Sequence, residues 1–378
     1  MIELLDGNFA CAWAVKLCKV QVIPVFPITP QTELMEMLSE WKAEGKIDLE
    51  LLFAESEHSV LSAALGSEMT ENRTFSSTSS QGLLLMHEIL PIVSGTRMPV
   101  VMVNGCRAIS APITLWPDHN DLLAMRDSGW LLFMAETNQE LLDSIIIAFR
   151  VSEDKRILLP SLVGMDGFIL SYTREEVNIP EQELVDKFLP ELKLEVKIDL
   201  NKPMTLGTPC IEEYMYFKSQ LHKAQLNALK VLEEAHKEWF KLTGRNYDLI
   251  EEFFVEGAQA VIVMMGANST IAKAAVRQMR KKGKKVGLVR IRVLRPFPEE
   301  KIKNALSKAK RIAVVDQNIS AGISGILYPE IKACVADGKK IVSNYVISLG
   351  GKMISIKDFR AIFNDLLKAR KEERKWLM

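Results

Sequence analysis

The stretch VFPITPQTEL at residues 25–34 joins an apolar run to an amphipathic one. The apolar residues over 21–26 predict a buried strand, and the spacing that follows predicts a helix over 31–43. Pro30 suits the first turn of a helix, where a missing N–H costs nothing, and Thr29 is then predicted as the N-cap. The stretch therefore predicts a strand, a stiff loop and a helix start. For Thr29, a purely structural role as a cap competes with a functional role for its hydroxyl.

Apolar runs continue to alternate with amphipathic stretches up to about residue 165. Strands are predicted at 21–26, 50–54, 73–78, 99–104, 130–134 and 157–163, and helices at 8–19, 31–43, 57–70, 82–94, 119–127 and 138–152. Strands that are apolar throughout and alternate with helices indicate a parallel sheet covered on both faces. The predicted fold class is therefore α/β, with a doubly wound parallel sheet.

The second half of the chain predicts an arm, a long helix and a second, smaller α/β domain. Prolines and acidic runs predict an extended arm over about 168–212, and apolar residues spaced by three or four predict a helix over about 215–243. Further strands are predicted at 260–266, 286–294, 311–318 and 341–350, helices at 269–282, 298–309 and 323–337, and a solvated helix end at 368–376. The expected domains are 1–246 and 247–378.

Composition indicates an ordinary globular protein. The chain has 378 residues, 48% of them hydrophobic and 25% charged, and its formal net charge is zero. This balance gives no electrostatic reason to expect nucleic acid or a membrane surface as partner, and it favours association with other proteins. The start lacks a basic leader with an apolar core, which predicts a cytoplasmic location. The five cysteines and five histidines show no metal-ligand spacing, so no metal is predicted on this chain.

Polar residues follow several predicted strands, where an open α/β sheet binds its ligands. Glu57 stands in ESEHS at a helix start, where an acidic residue also serves simply to compensate the helix dipole. Ser80 and Gln81 stand in TSSQG before the amphipathic run LLLMHEIL. Capping explains the serines, whereas the glutamine is unusual at such a position.

Arg107 follows the strand PVVMVN and its short continuation. The fork of a guanidinium matches a carboxylate, so an arginine in this loop predicts an anionic ligand. The alternative is an ion pair with Asp118 or Asp121 further along the same loop. The sequence leaves these two interpretations open.

Several motifs in a fixed order resemble the α subunits of the 2-oxoacid:ferredoxin oxidoreductases, a family that includes pyruvate:ferredoxin oxidoreductase. They are FPITP at 26–30, ESEHS at 55–59, TSSQGLLLMHE at 78–88, RAISAP at 107–112 with a following DH, RDSGW at 126–130, LLPSLVGMDGF at 158–168, LVRIRVLRPFP at 288–298 and AVVDQN at 313–318. The resemblance covers nearly the whole chain. It implies a pyrimidine-binding domain of the thiamine diphosphate type, followed by a domain of transketolase C-terminal type.

The same resemblance implies roles for individual residues. Glu57 is expected to hydrogen-bond the aminopyrimidine ring of thiamine diphosphate and so help the cofactor to lose its thiazolium proton. Thr29 and Arg107 are expected to bind the substrate's carboxylate and keto oxygen, and Ser80 and Gln81 to line the cofactor pocket.

The resemblance also implies that the active site is shared. Thiamine enzymes bind diphosphate and Mg²⁺ through a G-D-G motif with a later asparagine, whereas this chain has only Asp–Gly pairs at 6, 166 and 337. A β subunit is therefore expected to bring the diphosphate and Mg²⁺ site. Iron–sulfur clusters of the [4Fe–4S] type are expected on other subunits, including γ and δ subunits, with ferredoxin as the electron acceptor.

The expected reaction is oxidative decarboxylation of a 2-oxoacid with coenzyme A, and pyruvate is the expected substrate. A threonine at position 29 favours a small neutral side chain on the substrate over a second carboxylate. Branched-chain, 2-oxoglutarate and oxalate enzymes of the same class remain alternatives. A non-catalytic scaffold, in which the same residues serve as caps and ion pairs, is an alternative from another class.

Overall fold

The computed structural model describes residues 1–199, 201–202, 204–205, 207, 209–335 and 338–378. The end of the helix predicted over 323–337 and the aspartate of the Asp–Gly pair at 337 lie outside these residues. The described chain contains two main parallel sheets with helices on their faces, so the α/β prediction is confirmed.

The first part of the chain alternates strands and helices before a long helix. Its strands are β1 (Ile2–Leu5), β2 (Val22–Val25), β3 (Glu50–Phe53), β4 (Phe75–Thr78), β5 (Val101–Cys106), β6 (Leu131–Met134), β7 (Ser161–Asp166) and β8 (Glu175–Asn178). Its helices are α1 (Gly7–Leu17), α2 (Thr32–Ala43), α3 (Glu57–Met69), α4 (Ser80–Leu85), α5 (Leu90–Gly95), α6 (Asn120–Ala124), α7 (Asn138–Ser152), α8 (Ile169–Tyr172), α9 (Gln182–Phe188) and α10 (Tyr214–Thr243). Gly244, with φ of 74°, ends α10 in the left-handed conformation that glycine adopts readily.

The second part repeats the alternation on a smaller scale. Its strands are β9 (Ile250–Phe253), β10 (Ala260–Met264), β11 (Val286–Ile291), β12 (Val293–Arg295), β13 (Arg311–Asp316), β14 (Ile341–Val346) and β15 (Arg374–Trp376). Its helices are α11 (Ser269–Lys281), α12 (Glu299–Leu306), α13 (Leu327–Cys334) and α14 (Ile356–Lys368).

The first sheet places its strand ends along one edge. Its order is β12-β6-β7-β5-β4, and β2 and β3 form a parallel pair beside it. A parallel bridge between Val22 and Thr74 connects that pair to the sheet on the β4 side. All strands from β2 to β7 are parallel, and only β12 runs the other way. The loops after these parallel strands therefore share one edge.

The second sheet has six strands in the order β15-β14-β13-β10-β11-β9. Its four central strands are the predicted ones, whereas both edge strands were missed. The prediction of a solvated helix end at 368–376 is wrong, because α14 ends at Lys368 and residues 374–376 pair with β14. Two consecutive charged residues, Arg374 and Lys375, conceal this short strand from a search for apolar runs.

Two local predictions are also wrong. The single helix predicted over 82–94 is two helices, because Pro91 lacks the N–H and the room that an uninterrupted helix needs. Thr29 is not the N-cap of α2, which begins at Thr32 after Gln31. The side chain of Gln31 instead donates to the carbonyl of Phe26, which extends the turn before the helix starts.

The arm predicted over 168–212 is partly regular. Strand β8 pairs with β1 in antiparallel register, with Ile2 opposite Asn178, and α8 and α9 lie on either side of β8 in sequence. A continuous cluster of buried side chains joins the helical face of the first sheet to the second sheet, and it includes Trp130, Val263 and Leu327. Among the described helices, none is both long and apolar enough to cross a membrane.

Candidate active site

The candidate residues lie on neighbouring loops at the carboxyl edge of the first sheet. Thr29 follows β2, Glu57 follows β3, Ser80 and Gln81 begin α4 directly after β4, and Arg107 follows β5. The strands concerned lie side by side in the order β3, β2, β4, β5. This edge is where open α/β sheets bind ligands. The structure therefore brings together residues that are up to 78 positions apart.

Two side-chain hydrogen bonds and one packing contact hold the turn that carries Thr29. Asn8 Nδ2 donates to the carbonyl of Pro30 at 2.9 Å, and Ser77 Oγ donates to Gln31 Oε1 at 2.8 Å. Pro30 packs on the end of β5, where a Cβ on Gly105 would lie 3.0 Å from its Cγ. Thr29 itself is exposed. A threonine that caps no helix is thus held on a braced turn with its side chain facing outward.

Arg107 lies beside that turn. Its Nη1 donates to the carbonyl of Thr29 at 2.7 Å, so the two residues expected to bind substrate are in direct contact. The predicted ion pair with Asp118 or Asp121 does not form among the described residues. Asp121 instead accepts from the backbone N–H of Arg107 at 3.1 Å. Arg107 is only 7% exposed, and burial lowers the pKa of its guanidinium from the usual value. A buried arginine without a paired carboxylate is suited to an anionic ligand.

Glu57 contacts the start of α4. A Cβ on Gly82 would lie 2.5 Å from Glu57 Oε1 and 2.5 Å from Thr78 Oγ1, a spacing that no side chain tolerates. Only glycine at position 82 therefore allows the carboxylate to occupy this place. Glu57 is 7% exposed, at the first turn of α3, and Ser56 rather than Glu57 caps that helix by accepting from the N–H of Ser59.

Ser80 and Gln81 form a constrained corner. Ser80 is buried and has φ of 49°, in the left-handed region that serine rarely adopts. Its Oγ donates to the carbonyl of Ala108 at 2.8 Å, and Ser80 Oγ also lies 2.6 Å from Gln81 Oε1. The Nε2 of Gln81 is buried without a partner among the described residues.

Several unpaired polar atoms lie along this edge. Thr78 Oγ1, Gln81 Nε2 and Arg107 Nε are buried and lack hydrogen-bond partners in the described part of the chain. Buried polar groups are almost always hydrogen-bonded, so three unpaired atoms on adjacent loops indicate a place where another molecule supplies the partners. Across the described ranges, no group of three or more histidine, cysteine, aspartate and glutamate side chains is arranged to hold a metal ion.

Comparison with protein families identifies the class of protein to which this fold and these sheet-edge residues belong. A profile for the thiamine diphosphate-binding domain of pyruvate flavodoxin/ferredoxin oxidoreductases matches residues 13–237. A second profile, for core domain II of pyruvate:ferredoxin oxidoreductase, matches residues 258–359. The chain therefore belongs to the 2-oxoacid:ferredoxin oxidoreductase family, and it is of the α-subunit type, active as part of a complex.

Curated relatives agree over nearly the full length. Pyruvate synthase subunit PorA of Methanothermobacter thermautotrophicus is 44% identical over 356 residues, covering 94% of this chain and 92% of the relative. Ketoisovalerate oxidoreductase subunit VorA of Pyrococcus abyssi is 40% identical over 373 residues, covering 97% and 94%.

A solved structure shares the fold. The 2-oxoglutarate:ferredoxin oxidoreductase from Magnetococcus marinus superposes with a TM-score of 0.73 at 18% identity, and the match covers 97% of this chain and 65% of that chain. At this identity the likeness concerns the fold alone. The α/β architecture and the family motifs predicted from the sequence are thus confirmed together.

The sequence did not indicate how the site is braced. Asn8 and Gln31 hold the Thr29 turn, Gly82 makes room for Glu57, and Asp121 joins two loops. No spacing rule could have found Asn8, which lies 22 residues before its partner Pro30. Asp121 was noted only as a possible ion-pair partner of Arg107.

Proposed function

We propose that this chain supplies the pyrimidine-binding and substrate-binding half of a thiamine diphosphate site in a pyruvate synthase. The observation that carries the proposal is the position of Glu57, whose carboxylate lies against Gly82 on the same sheet edge as the Thr29–Arg107 contact. Full-length relatives named pyruvate synthase subunit PorA support pyruvate as the substrate.

The residues present fit the cofactor. Glu57 would accept a hydrogen bond from a nitrogen of the aminopyrimidine ring, and Gln81 Nε2 is a buried donor that lacks an acceptor in the described part of the chain. Thiamine diphosphate, when bound, supplies the centre that stabilises the negative charge left by decarboxylation. The part of Glu57 is to hold a proton in place at the ring nitrogen. A glutamine there could not accept or release that proton.

Arg107 and Thr29 would bind the 2-oxoacid. A guanidinium offers paired donors to a carboxylate, and the Thr29 hydroxyl is a donor on a braced turn. Because orientation matters at the level of about 1 Å, bracing by Asn8 and Ser77 increases the value of that hydroxyl. Arg107 thus offsets substrate charge, and Thr29 orients the substrate.

The cleft beside Thr29 supports a substrate with an apolar side chain. Its volume is about 750 Å³, and it is lined by Thr29, Ile113, Thr114, Leu115, Trp116, Phe168 and Tyr172. No cation lines it within the described residues, so a second substrate carboxylate would find no partner there. This disfavours 2-oxoglutarate and oxalate. A branched-chain 2-oxoacid is the second candidate, because relatives named ketoisovalerate oxidoreductase subunit VorA are nearly as similar.

We further propose that a β subunit carrying the diphosphate and Mg²⁺ site docks on this edge. Apolar side chains are exposed around it, including Phe53 at 71%, Ile113 at 79% and Leu115 at 58%. Exposed apolar groups in such numbers mark interaction surfaces. Iron–sulfur γ and δ subunits, ferredoxin and coenzyme A complete the proposed cytoplasmic complex, and the proposed domains of this chain are residues 1–246 and 247–378.

The test is a reconstituted complex assayed with a panel of 2-oxoacids by reduction of a viologen dye. We expect pyruvate to give the highest kcat/KM. Glu57→Gln should lower turnover by about 10²–10⁴-fold, the range for loss of a group that handles protons. Glu55→Gln, on the same loop but fully exposed, is the matched control and should leave turnover unchanged. Unchanged turnover in Glu57→Gln would favour the scaffold alternative.

A further inference from the structure

Asp121 connects the loops that carry the proposed cofactor and substrate residues. Its Oδ2 accepts from the backbone N–H of Ser80 at 2.9 Å, from Asn104 Nδ2 at 2.9 Å and from the backbone N–H of Arg107 at 3.1 Å. Its Oδ1 accepts from the N–H of Leu122 at 2.7 Å. One carboxylate thus joins the start of α4, the end of β5 and the Arg107 turn.

The surroundings of Asp121 distinguish it from an ordinary buried ion pair. The side chain is completely buried, and no cation lies within ion-pair distance of it in the described part of the chain. Burial without a counter-charge is unfavourable for the ionised form, so neutral N–H donors must provide most of the compensation. Those donors come from the segments that must keep fixed positions for a shared site.

We propose that Asp121 is a positioning residue. It holds the Arg107 turn and the Ser80–Gln81 corner at fixed relative positions, so that substrate and cofactor bind in the correct relative arrangement. This inference rests on the proposed function. Asp121 itself reaches neither ligand. It acts through Ser80, whose left-handed backbone needs an anchored N–H, and through the backbone of Arg107.

A neighbouring aspartate provides a matched control. Asp118 is also buried, and it accepts from the backbone N–H of Asn120 at 3.0 Å and from that of Gly350. It contacts neither Ser80 nor Arg107. Asp118→Asn therefore makes the same chemical change three residues away, just before α6, without touching the link between the two proposed ligand sites.

The experiment compares Asp121→Asn, Asp118→Asn and wild type in the reconstituted complex. An amide leaves one oxygen and places an NH₂ group against N–H donors, so we expect the KM for pyruvate and the Kd for thiamine diphosphate each to rise about tenfold in Asp121→Asn. The cofactor Kd is measured by titration of protein fluorescence, independently of activity. Asp118→Asn should match wild type in both quantities.

The outcomes distinguish failure of the positioning role from failure of the proposed substrate site. A merely structural role would lower the amount of assembled enzyme but leave KM and Kd unchanged, and that result would overturn the inference. If Asp121→Asn does not assemble, Asn104→Ser decides: raised KM and Kd support the inference, and wild-type values refute it.

Arg107→Lys is run in parallel. If it does not raise KM, the proposed substrate site fails. If Arg107→Lys raises KM and Asp121→Asn behaves as wild type, only the positioning role fails.

Discussion

Two groups of buried polar side chains differ in one respect: whether they are fully paired. Between the two parts of the chain lies the interdomain ion cluster, formed by Glu136, Glu140, Glu251, Lys273, Arg290 and Arg292. Arg290 is only 1% exposed, and it binds Glu140 at 2.7 Å and Glu136 at 3.0 Å. At the carboxyl edge of the first sheet, by contrast, buried donors on Gln81 and Arg107 have no partner within the described ranges.

The difference separates structural from functional burial. A polar group whose partners all come from its own chain holds elements together, whereas a group left unpaired at great cost indicates a ligand. Buried carboxylates in the two regions also differ in the direction of their pKa shifts. Two arginines hold the pKa of Glu140 down, to about 2, whereas burial raises the pKa of Asp121 to about 7. Changes in the two regions should therefore affect different observables.

The largest effect is expected from Arg290→Met. It leaves the carboxylates of Glu136, Glu140 and Glu251 short of a partner, so the free energy of unfolding should fall by about 3–5 kcal/mol in urea titrations. Lys19→Met, which breaks an exposed pair with Asp186, should cost at most about 1 kcal/mol. The KM for pyruvate of the folded Arg290 variant should equal that of wild type. A large change in KM would contradict the claim that this ion cluster serves only stability.

A second effect is the pH dependence of the interdomain ion cluster. Because the pKa of Glu140 is depressed in the folded state, its stabilising contribution is present above its unfolded pKa and is lost as pH falls from about 4.5 towards 2. The difference in unfolding free energy between wild type and Glu140→Gln should shrink over that range, by on the order of 3 kcal/mol. A difference independent of pH would contradict the assignment.

The contribution of Asp121 to stability should change with pH in the opposite direction. Its folded pKa is raised above the unfolded value of 3.8 to about 7, so its ionisation weakens the fold as pH rises between these values. Relative to wild type, Asp121→Asn should therefore gain stability between pH 4 and pH 7. Unfolding free energies measured at pH 5 and pH 8 test this. A relative loss of stability over this interval would contradict a raised pKa.

A further effect is expected from Gly82→Ala. The added methyl group would lie 2.5 Å from Glu57 Oε1, so the carboxylate must move, and turnover should fall by about 10²-fold. Gly66→Ala is the control, since nothing lies within 4 Å of a Cβ at that exposed helical position. It should stabilise the chain by about 0.5–1 kcal/mol with unchanged turnover. Equal turnover in both variants would mean that the place of Glu57 is unimportant.

The smallest effect is expected from Arg107→Lys. The charge remains, but the paired donors and the bond to the Thr29 carbonyl are lost, so the KM for pyruvate should rise about tenfold with a smaller change in kcat. Steady-state kinetics of the reconstituted complex measure both values. The converse result, a lowered kcat with KM unchanged, would assign Arg107 to the chemical step rather than to binding of the substrate.

The sequence predicted the central strands and the candidate residues because the signals for both lie within short segments of the chain. Apolar runs identified β2 to β7 and β10 to β14 apart from the three-residue β12, and strand ends identified where Thr29, Glu57 and Arg107 stand. Edge strands were missed, since β9 and β15 carry charged residues and derive their stability from a neighbour.

Long-range pairing lay beyond prediction for a related reason. The spacing Arg290-Ile-Arg292 places two arginines close together at the end of β11, yet Glu140 is 150 residues away from Arg290. Likewise, the three donors to Asp121 Oδ2 lie 14 to 41 residues before it. Such contacts depend on the strand order, which composition and periodicity do not specify.

The central claim is that the Glu57 carboxylate meets the cofactor's pyrimidine ring at the seam with a partner chain. The most direct measurement is an experimental structure of the assembled complex with thiamine diphosphate bound. The account predicts a Glu57 carboxylate oxygen at about 2.5–3.0 Å from a ring nitrogen, with Gly82 beside it. A structure with this side chain in bulk solvent, far from the bound cofactor, would contradict the account.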